Sequence, residues 1–338
     1  MKAMKDCCLS RCSVLDRGMP FIGAQMTGEP ITMTDLILHH YWPSPFAHKV
    51  RLALALADAS WTSVEIPRVP PKPLLMPLTA NYRRTPVLQI GADIHCDTQN
   101  IARAMAEAGY QNKLFPGGNQ GRAMALSGWI DQGIAELAIR VVITSAIGTA
   151  PPEFIKDRGD LYFGPGWTED SLKAGFDGVV LQLGAQLAHV ESMLADTGYL
   201  AGDLPSWPDV TLAFVAWFLR GRWDGGGALL ARHPHIERIE SELASDSEGR
   251  YADMTPEDAL AVAKAASPQS PTGIENPACS LGVGQQVVIR PRSASSDPDI
   301  TGRLRFMDMT RMSIDHESDE TGAVAVHLPI AGYAVRAA

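Results

Sequence analysis

The hydrophobic and polar positions of the chain change their spacing twice, which divides the sequence into three regions. In the first region, short β-rich runs surround a helical stretch, and prolines and glycines mark the turns. Pro45 stands at the start of the first helix, where the missing N–H of proline costs no hydrogen bond. The pattern predicts an α/β region over residues 34–112, in the order strand, helix, strand, loop, hairpin, helix. The predicted strands are Asp35–Tyr41, Trp61–Ile66, Thr85–Ile90 and Ile94–Cys96, and the predicted helices are Phe46–Ala59 and Asp97–Ala108.

The second region has the apolar spacing of long helices, and no strand-like alternation interrupts it. Ser206 and Asp209 have the serine-x-x-acid spacing of a capping box, in which each side chain bonds the other residue's backbone N–H. The most apolar stretch of the chain, Val210–Leu219, follows directly. We therefore predict an all-helical region over residues 117–245, with a well-capped core helix near its end.

The third region begins with a shift to Ser, Pro, Asp and Glu, which predicts a linker over residues 246–278 with a short helix near Thr255–Ala266. Beyond the linker the pattern alternates again, so we predict a small all-β domain over residues 279–338. Its predicted strands are Gln286–Arg290, Gly302–Phe306, Met312–His316 and Ala323–Leu328.

The composition is that of a folded chain with more than one core. The length of 338 residues exceeds what one hydrophobic core usually supports, and 46% hydrophobic with 20% charged residues is ordinary for globular domains. The 29 basic and 38 acidic residues leave a net charge of −9, which disfavours binding to a polyanion. No run of about 18 apolar residues, the length of a membrane-spanning helix, occurs. We therefore expect neither a nucleic-acid partner nor a membrane partner.

Five cysteines are present, three of them in an N-terminal segment without apolar periodicity. An odd number without paired spacing argues against a disulfide framework and for a reducing compartment. Cys7, Cys8 and Cys12 have no second ligand group at zinc-site spacing, so we expect no metal site. The apolar core of a signal peptide does not develop before Arg17. We expect a cytoplasmic protein with a flexible N-terminal extension over residues 1–33.

Three local motifs follow one another in the first region. They are Tyr41–Arg51 (YWPSPFAHKVR), Tyr82–Leu88 (YRRTPVL) and the pair Asp97-Thr98. In this order they resemble the glutathione-binding half of the glutathione S-transferase family, in its serine- or cysteine-type, bacterial-like form. The resemblance covers Asp35–Ser245 and implies a thioredoxin-like domain followed by an all-helical bundle domain. The predicted β domain lies outside the resemblance and is an addition to the family's fold.

The resemblance places Ser44 where the family has its catalytic serine or cysteine. A helix N-terminus offers free N–H groups and the positive end of a dipole, and both stabilise an anion such as the glutathione thiolate. A hydroxyl that donates to the sulfur lowers the thiol pKa, so more nucleophile is present at neutral pH. Taken alone, Ser44 is better explained as a helix N-cap. A hydroxyl from Tyr41 acting on the thiolate is an alternative.

The resemblance assigns the cysteinyl part of glutathione to Thr85, whose backbone edge a cis bond to Pro86 would expose. The alternative for Pro86 is an ordinary trans-proline at a strand start. The γ-glutamyl end is assigned to Asp97 and Thr98, whose positions before a helix also suit capping. The family's acid is more often a glutamate, so Asp97 departs from the pattern through its shorter side chain.

The glycyl carboxylate of glutathione needs a cation. Arg84, Lys72 and His40 all lie in suitable positions, and the sequence does not choose among them. Lys49 and Arg51 are expected on an exposed helix face or at a dimer interface, because two basic residues on an amphipathic helix are unremarkable.

The resemblance implies an enzyme, a glutathione transferase that uses glutathione as co-substrate against a small hydrophobic electrophile, in detoxification. An isomerase, dehalogenase or peroxidase that works through the same thiolate would have the same sequence features. A second hypothesis is a non-catalytic glutathione- or ligand-binding or assembly protein that retains the fold and uses the β domain for interaction. A redox role for Cys96 would require an exposed thiol of low pKa, whereas we expect Cys96 to be buried and inert. The family is usually homodimeric, and we expect a homodimer.

Overall fold

The computed structural model describes residues 36–244, 249–293 and 295–338 of the chain. The predicted flexible extension over residues 1–33, with its three cysteines, lies outside the described residues. Within them, an α/β part, a helical region and a set of C-terminal strands follow one another, and the predicted fold class is confirmed.

The α/β part keeps the predicted order, and its elements are β1 (Ile37–His40), α1 (Pro45–Leu56), β2 (Ser60–Glu65), α2 (Met76–Thr79), β3 (Val87–Ile90), β4 (Asp93–Cys96) and α3 (Thr98–Met105). Strand β1 pairs parallel with β2 and antiparallel with β3, and β3 forms the predicted hairpin with β4. This is the thioredoxin-like arrangement implied by the motifs. Helix α1 starts directly after Ser44, because Ser44 caps it and Pro45 occupies its first position.

The helical region consists of α4 (Gln111–Leu114), α5 (Gln120–Trp129), α6 (Glu136–Ser145), α7 (Pro152–Tyr162), α8 (Glu169–Ala174), α9 (Phe176–Thr197), α10 (Trp207–Arg222), α11 (Gly226–Leu230) and α12 (Pro234–Ala244). The predicted capping interaction opens α10: the backbone N–H and the hydroxyl of Ser206 both donate to Asp209 Oδ2, at 2.9 and 2.8 Å. Asp209 Oδ1 also accepts from the backbone N–H of Leu200. Nearly all of α10 is buried, so it is the central helix of this region.

The C-terminal elements are β5 (Arg250–Asp253), α13 (Pro256–Ala265), β6 (Gly273–Ile274), β7 (Gln286–Pro291), β8 (Ile300–Met307), β9 (Arg311–Ser318), β10 (Gly322–Pro329) and β11 (Tyr333–Ala337). Each of the four predicted strands is present. Strands β7 to β10 pair antiparallel with their neighbours in sequence, and β11 returns to pair with β7.

The C-terminal strands continue the sheet of the α/β part. Strand β10 pairs parallel with β4, with Val326 opposite Ile94 and His327 opposite His95. At the opposite edge, β5 pairs parallel with β2. The strand order is therefore β11-β7-β8-β9-β10-β4-β3-β1-β2-β5, with β6 beside β8, in one sheet of eleven strands among the described residues.

Each face of the sheet has its own core, because successive strand residues point to opposite faces. Ile37 of β1 faces the core that α2, α13 and the C-terminal strands share, whereas Leu38, and Leu36 directly before β1, face α1, α3 and the helical region. Ala259 and Ala263 of α13 are fully buried on the first of these faces. The C-terminal segment thus covers the sheet face that the helical region leaves open.

Candidate active site

A pocket of about 230 Å³ lies between the α/β part and the helical region. Its first wall is formed by the β1–α1 turn and by the loops before α2 and β3, and its second wall by α6, α7 and α10. Ser44, Arg84 and Thr85 line this pocket, as their predicted roles require. Asp97 and Thr98 are not among its lining residues.

Ser44 is 1% exposed and occupies the N-cap of α1. Its Oγ accepts a hydrogen bond from the backbone N–H of Ala47 at 3.2 Å. Ser44 is therefore an N-cap, as interpreted from the sequence. The capping hydrogen bond uses only a lone pair of the hydroxyl oxygen. The hydroxyl proton has no acceptor among the residues that the structure describes, so it is available to a ligand in the pocket.

Thr85 precedes a cis peptide bond to Pro86, as the sequence motif implied. The residue lies directly before β3, and both its side chain and its position put it on the pocket wall. Its Oγ1 accepts a hydrogen bond from Lys72 Nζ at 2.7 Å. The contact with Lys72 holds the side chain of Thr85 in position at the pocket wall.

Lys72, which donates to Thr85, lines the pocket although only 5% of the residue is exposed. Its Nζ also donates to the backbone carbonyl of Arg83 at 3.0 Å. Burial, together with the charges of Arg158 and Arg83, lowers the pKa of Lys72 to about 8. Lys72 forms no ion pair with a carboxylate of the described residues.

His40 does not line the pocket. Its Nε2 lies 3.1 Å from Ser63 Oγ, and its Nδ1 lies 3.3 Å from an Arg51 guanidinium nitrogen. Burial, together with the charge of Arg51, lowers the pKa of His40 to about 3, so the imidazole is neutral. Of the three cations considered for a ligand carboxylate, His40 is thereby ruled out.

Arg84 lines the pocket, but its guanidinium is paired with Asp297 of the segment between β7 and β8. Its Nε and Nη2 donate to Asp297 Oδ2 at 2.9 and 2.6 Å. Arg83 lies 3.4 Å from the other oxygen of Asp297 and 2.8 Å from Asp157 of α7. The carboxylate of Asp297 thus holds two consecutive arginines of the pocket wall.

Asp97 and Thr98 lie together at the start of α3. Asp97 Oδ1 accepts from the backbone N–H of Gln99 at 2.9 Å, and Oδ2 accepts from the hydroxyl of Tyr333 in β11 at 3.1 Å. Burial raises the pKa of Asp97. Thr98 Oγ1 accepts from Lys49 Nζ at 3.1 Å. Both residues are therefore engaged in contacts within the protein.

Lys49 and Arg51 are buried, so their prediction as an exposed basic face was wrong. Lys49 is 0% exposed, because its Nζ donates to both carboxylate oxygens of Asp131 and lies 4.5 Å from the centre of the Trp207 ring. Arg51 donates to the carbonyl of Trp42 and approaches His40. Paired, hydrogen-bonded charges are the exception that permits basic residues in a core.

The second wall of the pocket is apolar. Its side chains come from α6, α7 and α10 and include Ile139, Val142, Ile143, Leu161 and Phe218. This wall and Ser44 line the same pocket. A ligand that places a polar atom near α1 can therefore place an apolar group against the helices.

Arg158 lines the pocket and Asp297 binds Arg84 of its wall, and neither residue was predicted from the sequence. Arg158 of α7 donates to the hydroxyl of Tyr41 at 3.2 Å and to the carbonyl of Arg68 at 2.9 Å. The spacing of Phe154 and Arg158 on one predicted helix face was a usable signal, since the guanidinium lies over that ring. Asp297 offered no signal, because it lies beyond the part of the chain that the motifs cover.

Other candidate chemistry is weak. Cys96 is fully buried and its pKa is raised by burial, so it does not meet the conditions for a redox thiol. Within residues 36–244, 249–293 and 295–338, no three His, Cys, Asp or Glu side chains cluster as a metal site would require. In the same ranges, no helix combines the length and the apolar character needed to span a membrane.

Comparisons with known proteins agree with this geometry. Residues 43–108 match the family model described as glutathione S-transferase, N-terminal domain, and residues 173–239 match that of the glutathione S-transferase, C-terminal domain. A curated protein of Nicotiana tabacum, named a probable glutathione S-transferase parA, is 24% identical over 188 residues, which are 54% of this chain and 73% of that protein.

A solved structure described as a GST-like protein from Pseudomonas syringae is similar over most of the chain. It superposes with a TM-score of 0.69 at 28% identity, and the match covers 89% of this chain and 99% of that one. This share is larger than residues 36–244 can supply. The likeness therefore includes C-terminal strands as well as the α/β part and the helices.

Proposed function

Because this chain belongs to the glutathione S-transferase family, we propose that it binds reduced glutathione in the pocket beside Ser44 and activates the thiol for attack on an electrophile. The observation that carries the proposal is the unused hydroxyl proton of Ser44. It lies at the N-terminus of α1 and in the same pocket as Thr85, which precedes a cis-proline. A donor and a helix N-terminus that face one point favour an anion there, and a thiolate is such an anion.

In this proposal the three parts of glutathione bind to different residues. The cysteinyl backbone pairs with Thr85, and the glycyl carboxylate binds Lys72, whose ammonium has no carboxylate partner among the described residues. Arg84 is the weaker candidate for that carboxylate, because Asp297 already neutralises it. The γ-glutamyl end binds Asp97 and Thr98, where the remaining lone pairs of Asp97 accept from the ammonium.

The reaction then needs little further chemistry from the protein. The thiol loses its proton to solvent as it binds, and the hydroxyl of Ser44 stabilises the thiolate left behind. The sulfur forms a bond to the electrophilic carbon. With an aryl halide, the halide departs with the bonding electron pair; with an enal, the electron pair of the double bond moves towards the carbonyl oxygen and the adduct takes up a proton from solvent. The apolar wall of α6, α7 and α10 holds the electrophile close to the sulfur, which supplies the proximity.

The first test is titration calorimetry with reduced glutathione, followed by conjugation assays on a panel of aryl halides and enals. We expect Ser44→Ala to bind glutathione within about threefold of the natural chain and to lose roughly 100-fold in kcat, as removal of one anion-stabilising donor does. Tyr41→Phe tests the alternative hydroxyl in the same assay.

Ser44→Ala also removes a helix cap, which costs about 1 kcal/mol of stability. Thr255→Ala is the matched control, because Thr255 caps α13 through the same type of bond, from the backbone N–H of Asp258 at 3.1 Å, away from the pocket. Glutathione binding without turnover of any electrophile would favour the non-catalytic binding protein. No binding of glutathione would refute the proposal.

We further propose that the protein acts as a homodimer in the cytoplasm, with detoxification as its setting. Family membership supports the dimer, since members of this family usually pair the two domains across chains. Sedimentation equilibrium of the purified full chain measures the oligomeric state, and a single species of monomer mass at micromolar concentration would contradict the dimer.

A further inference from the structure

Three arginines converge on the pocket side that is formed by α7 and the end of α10: Arg68, Arg158 and Arg222, which we call the arginine cluster. The guanidinium carbons of Arg68 and Arg158 lie 3.9 and 4.9 Å from the centre of the same Phe154 ring. Arg158 also donates to the backbone carbonyl of Arg68. Arg68 and Arg158 are therefore in direct contact, and Arg222 lines the same pocket.

The charges that line the pocket are unbalanced. The lining includes six basic residues and no acidic residue: Arg68, Lys72, Arg83, Arg84, Arg158 and Arg222. Two carboxylates behind the lining, Asp157 and Asp297, pair with Arg83, Arg84 and Arg158. Neither Arg68 nor Arg222 forms an ion pair with any residue in the described part of the chain.

Glutathione, bound as proposed above, does not use all of these positive charges. Lys72 on the α/β side serves its glycyl carboxylate, and Asp97 serves its ammonium. The position of Arg222 in the last turn of α10 has an independent structural explanation, because a cation is favourable at a helix C-terminus. That explanation does not extend to Arg68, which lies in the loop after β2.

Holding like charges together is unfavourable unless an anion joins them. Burial lowers the pKa of Arg68, and the neighbouring charges of Arg158 and Arg222 act in the same direction. Each guanidinium offers several donors in a planar fork that matches a carboxylate. The apolar side chains of α6 and α7, among them Ile143 and Leu161, lie in the same pocket.

We propose that the second ligand of this pocket is an amphipathic carboxylate, with its apolar body against α6 and α7 and its carboxylate bound by Arg68 and Arg222. The proposal deepens the proposed function, on which it rests for the identity of the first ligand. The electrophile is thereby assigned to the amphipathic carboxylates, a class that the apolar wall alone does not specify. A neutral hydrophobic compound should bind more weakly than the same compound with a carboxylate.

Two matched ligand pairs test the proposal by titration calorimetry at low ionic strength, where exposed charges are least screened. The first pair is S-(4-carboxybenzyl)glutathione and S-benzylglutathione, and the second pair, without glutathione, is 4-phenylbutanoate and 4-phenylbutanol. We expect the carboxylated member of each pair to bind about tenfold more tightly. In Arg68→Gln and Arg222→Gln this ratio of affinities falls towards one.

Arg232→Gln is the control, because it removes the same charge from an exposed position outside the pocket and leaves the ratio unchanged. Equal affinities within both pairs, no binding of any of the four ligands, or a ratio that Arg68→Gln and Arg222→Gln do not lower overturns the inference. If both glutathione conjugates fail to bind while 4-phenylbutanoate keeps its preference over 4-phenylbutanol, the inference stands and the glutathione site is refuted.

Discussion

Arg84 and Asp297 are 213 positions apart in the sequence and are joined by two hydrogen bonds, from Nε and Nη2 of the guanidinium to one carboxylate oxygen. Arg84 precedes Thr85 in the pocket wall, and Asp297 belongs to the segment between β7 and β8. In the same segment, the backbone N–H of Ser296 donates to the carbonyl of Asp160 at the end of α7. One short stretch of the C-terminal region thus binds both walls of the pocket.

Asp297→Asn should therefore destabilise the fold. The side chain of Asp297 is 6% exposed and that of Arg84 is 25% exposed, so we expect a loss of about 2 kcal/mol in the free energy of unfolding, less than the roughly 3–5 kcal/mol of a fully buried pair. Urea unfolding measures the change. The matched control is Asp299→Asn, which breaks an ion pair with an exposed arginine, Arg290, and should destabilise the fold less than Asp297→Asn does, because exposed ion pairs contribute little. Equal losses in the two variants would contradict this role of Asp297.

The ammonium of Lys72 should give ligand binding a pH dependence. Its pKa is lowered to about 8, so its positive charge is lost as the pH rises through that value. The affinity for S-hexylglutathione, which has no free thiol, should fall by up to about tenfold per pH unit above the pKa. Lys72→Arg is the control, because a guanidinium stays charged and leaves only the titration of the ligand's own amino group. Identical pH profiles of the two proteins would exclude Lys72 from the site.

Buried neutral histidines should make the protein less stable in mild acid. Burial lowers the pKa of His39 to about 4, whereas an unfolded chain binds this proton near pH 6.5. Between those values the unfolded state takes up the proton and the folded state does not. The free energy of unfolding should therefore fall by about 1.4 kcal/mol per pH unit for this residue as the pH decreases.

In the variant His39→Gln, the slope of the free energy of unfolding against pH should be smaller by the contribution of one proton. Urea unfolding at pH 7, 6 and 5 measures this slope. His40 and His48, whose pKa values burial lowers to about 3 and about 4, keep their own contributions in this variant. An unchanged slope in His39→Gln would mean that His39 is charged in the folded state.

Asp97→Asn tests the proposed γ-glutamyl site. The amide keeps an oxygen for the N–H of Gln99 but removes the charge that the ligand's ammonium would meet. We expect the affinity for glutathione to fall about tenfold, whereas the affinity for a glutathione analogue without the amino group should stay the same or rise. Calorimetry with both ligands makes this comparison on one variant, so a general loss of folding would be visible as a loss of both affinities. Unchanged affinity for glutathione would remove Asp97 from the site.

The predictable parts of the molecule were those with local causes. Alternating apolar residues identified β7 to β10, and Ser44 with Pro45 identified the start of α1, because caps and strand periods depend on neighbouring residues. Lys49 was placed wrongly because its partner, Asp131, lies 82 positions later, and charge alone does not reveal a buried partner.

Pairing between distant segments was the other unpredictable feature. The alternation of apolar and polar residues in β10 indicates a strand, but no nearby residue identifies β4 as its pairing partner. The continuous sheet was therefore not predicted. The same limit applies to the site: Ser44 and Thr85 belong to recognisable motifs, whereas the contact of Asp297 with Arg84 and that of Arg68 with Arg158 join segments that are distant in the sequence.

The parallel pairing of β10 with β4 has a consequence for the chain during its synthesis. Ala325 pairs with Asp93, roughly 230 positions earlier. The edge of β4 therefore stays unpaired until the last strands have left the ribosome. At about 5–20 residues per second this wait lasts on the order of 10–50 s. During that time an unpaired strand edge is open to other nascent chains. Chaperones that shield strand edges during this interval should therefore raise the fraction of this protein that reaches its native sheet.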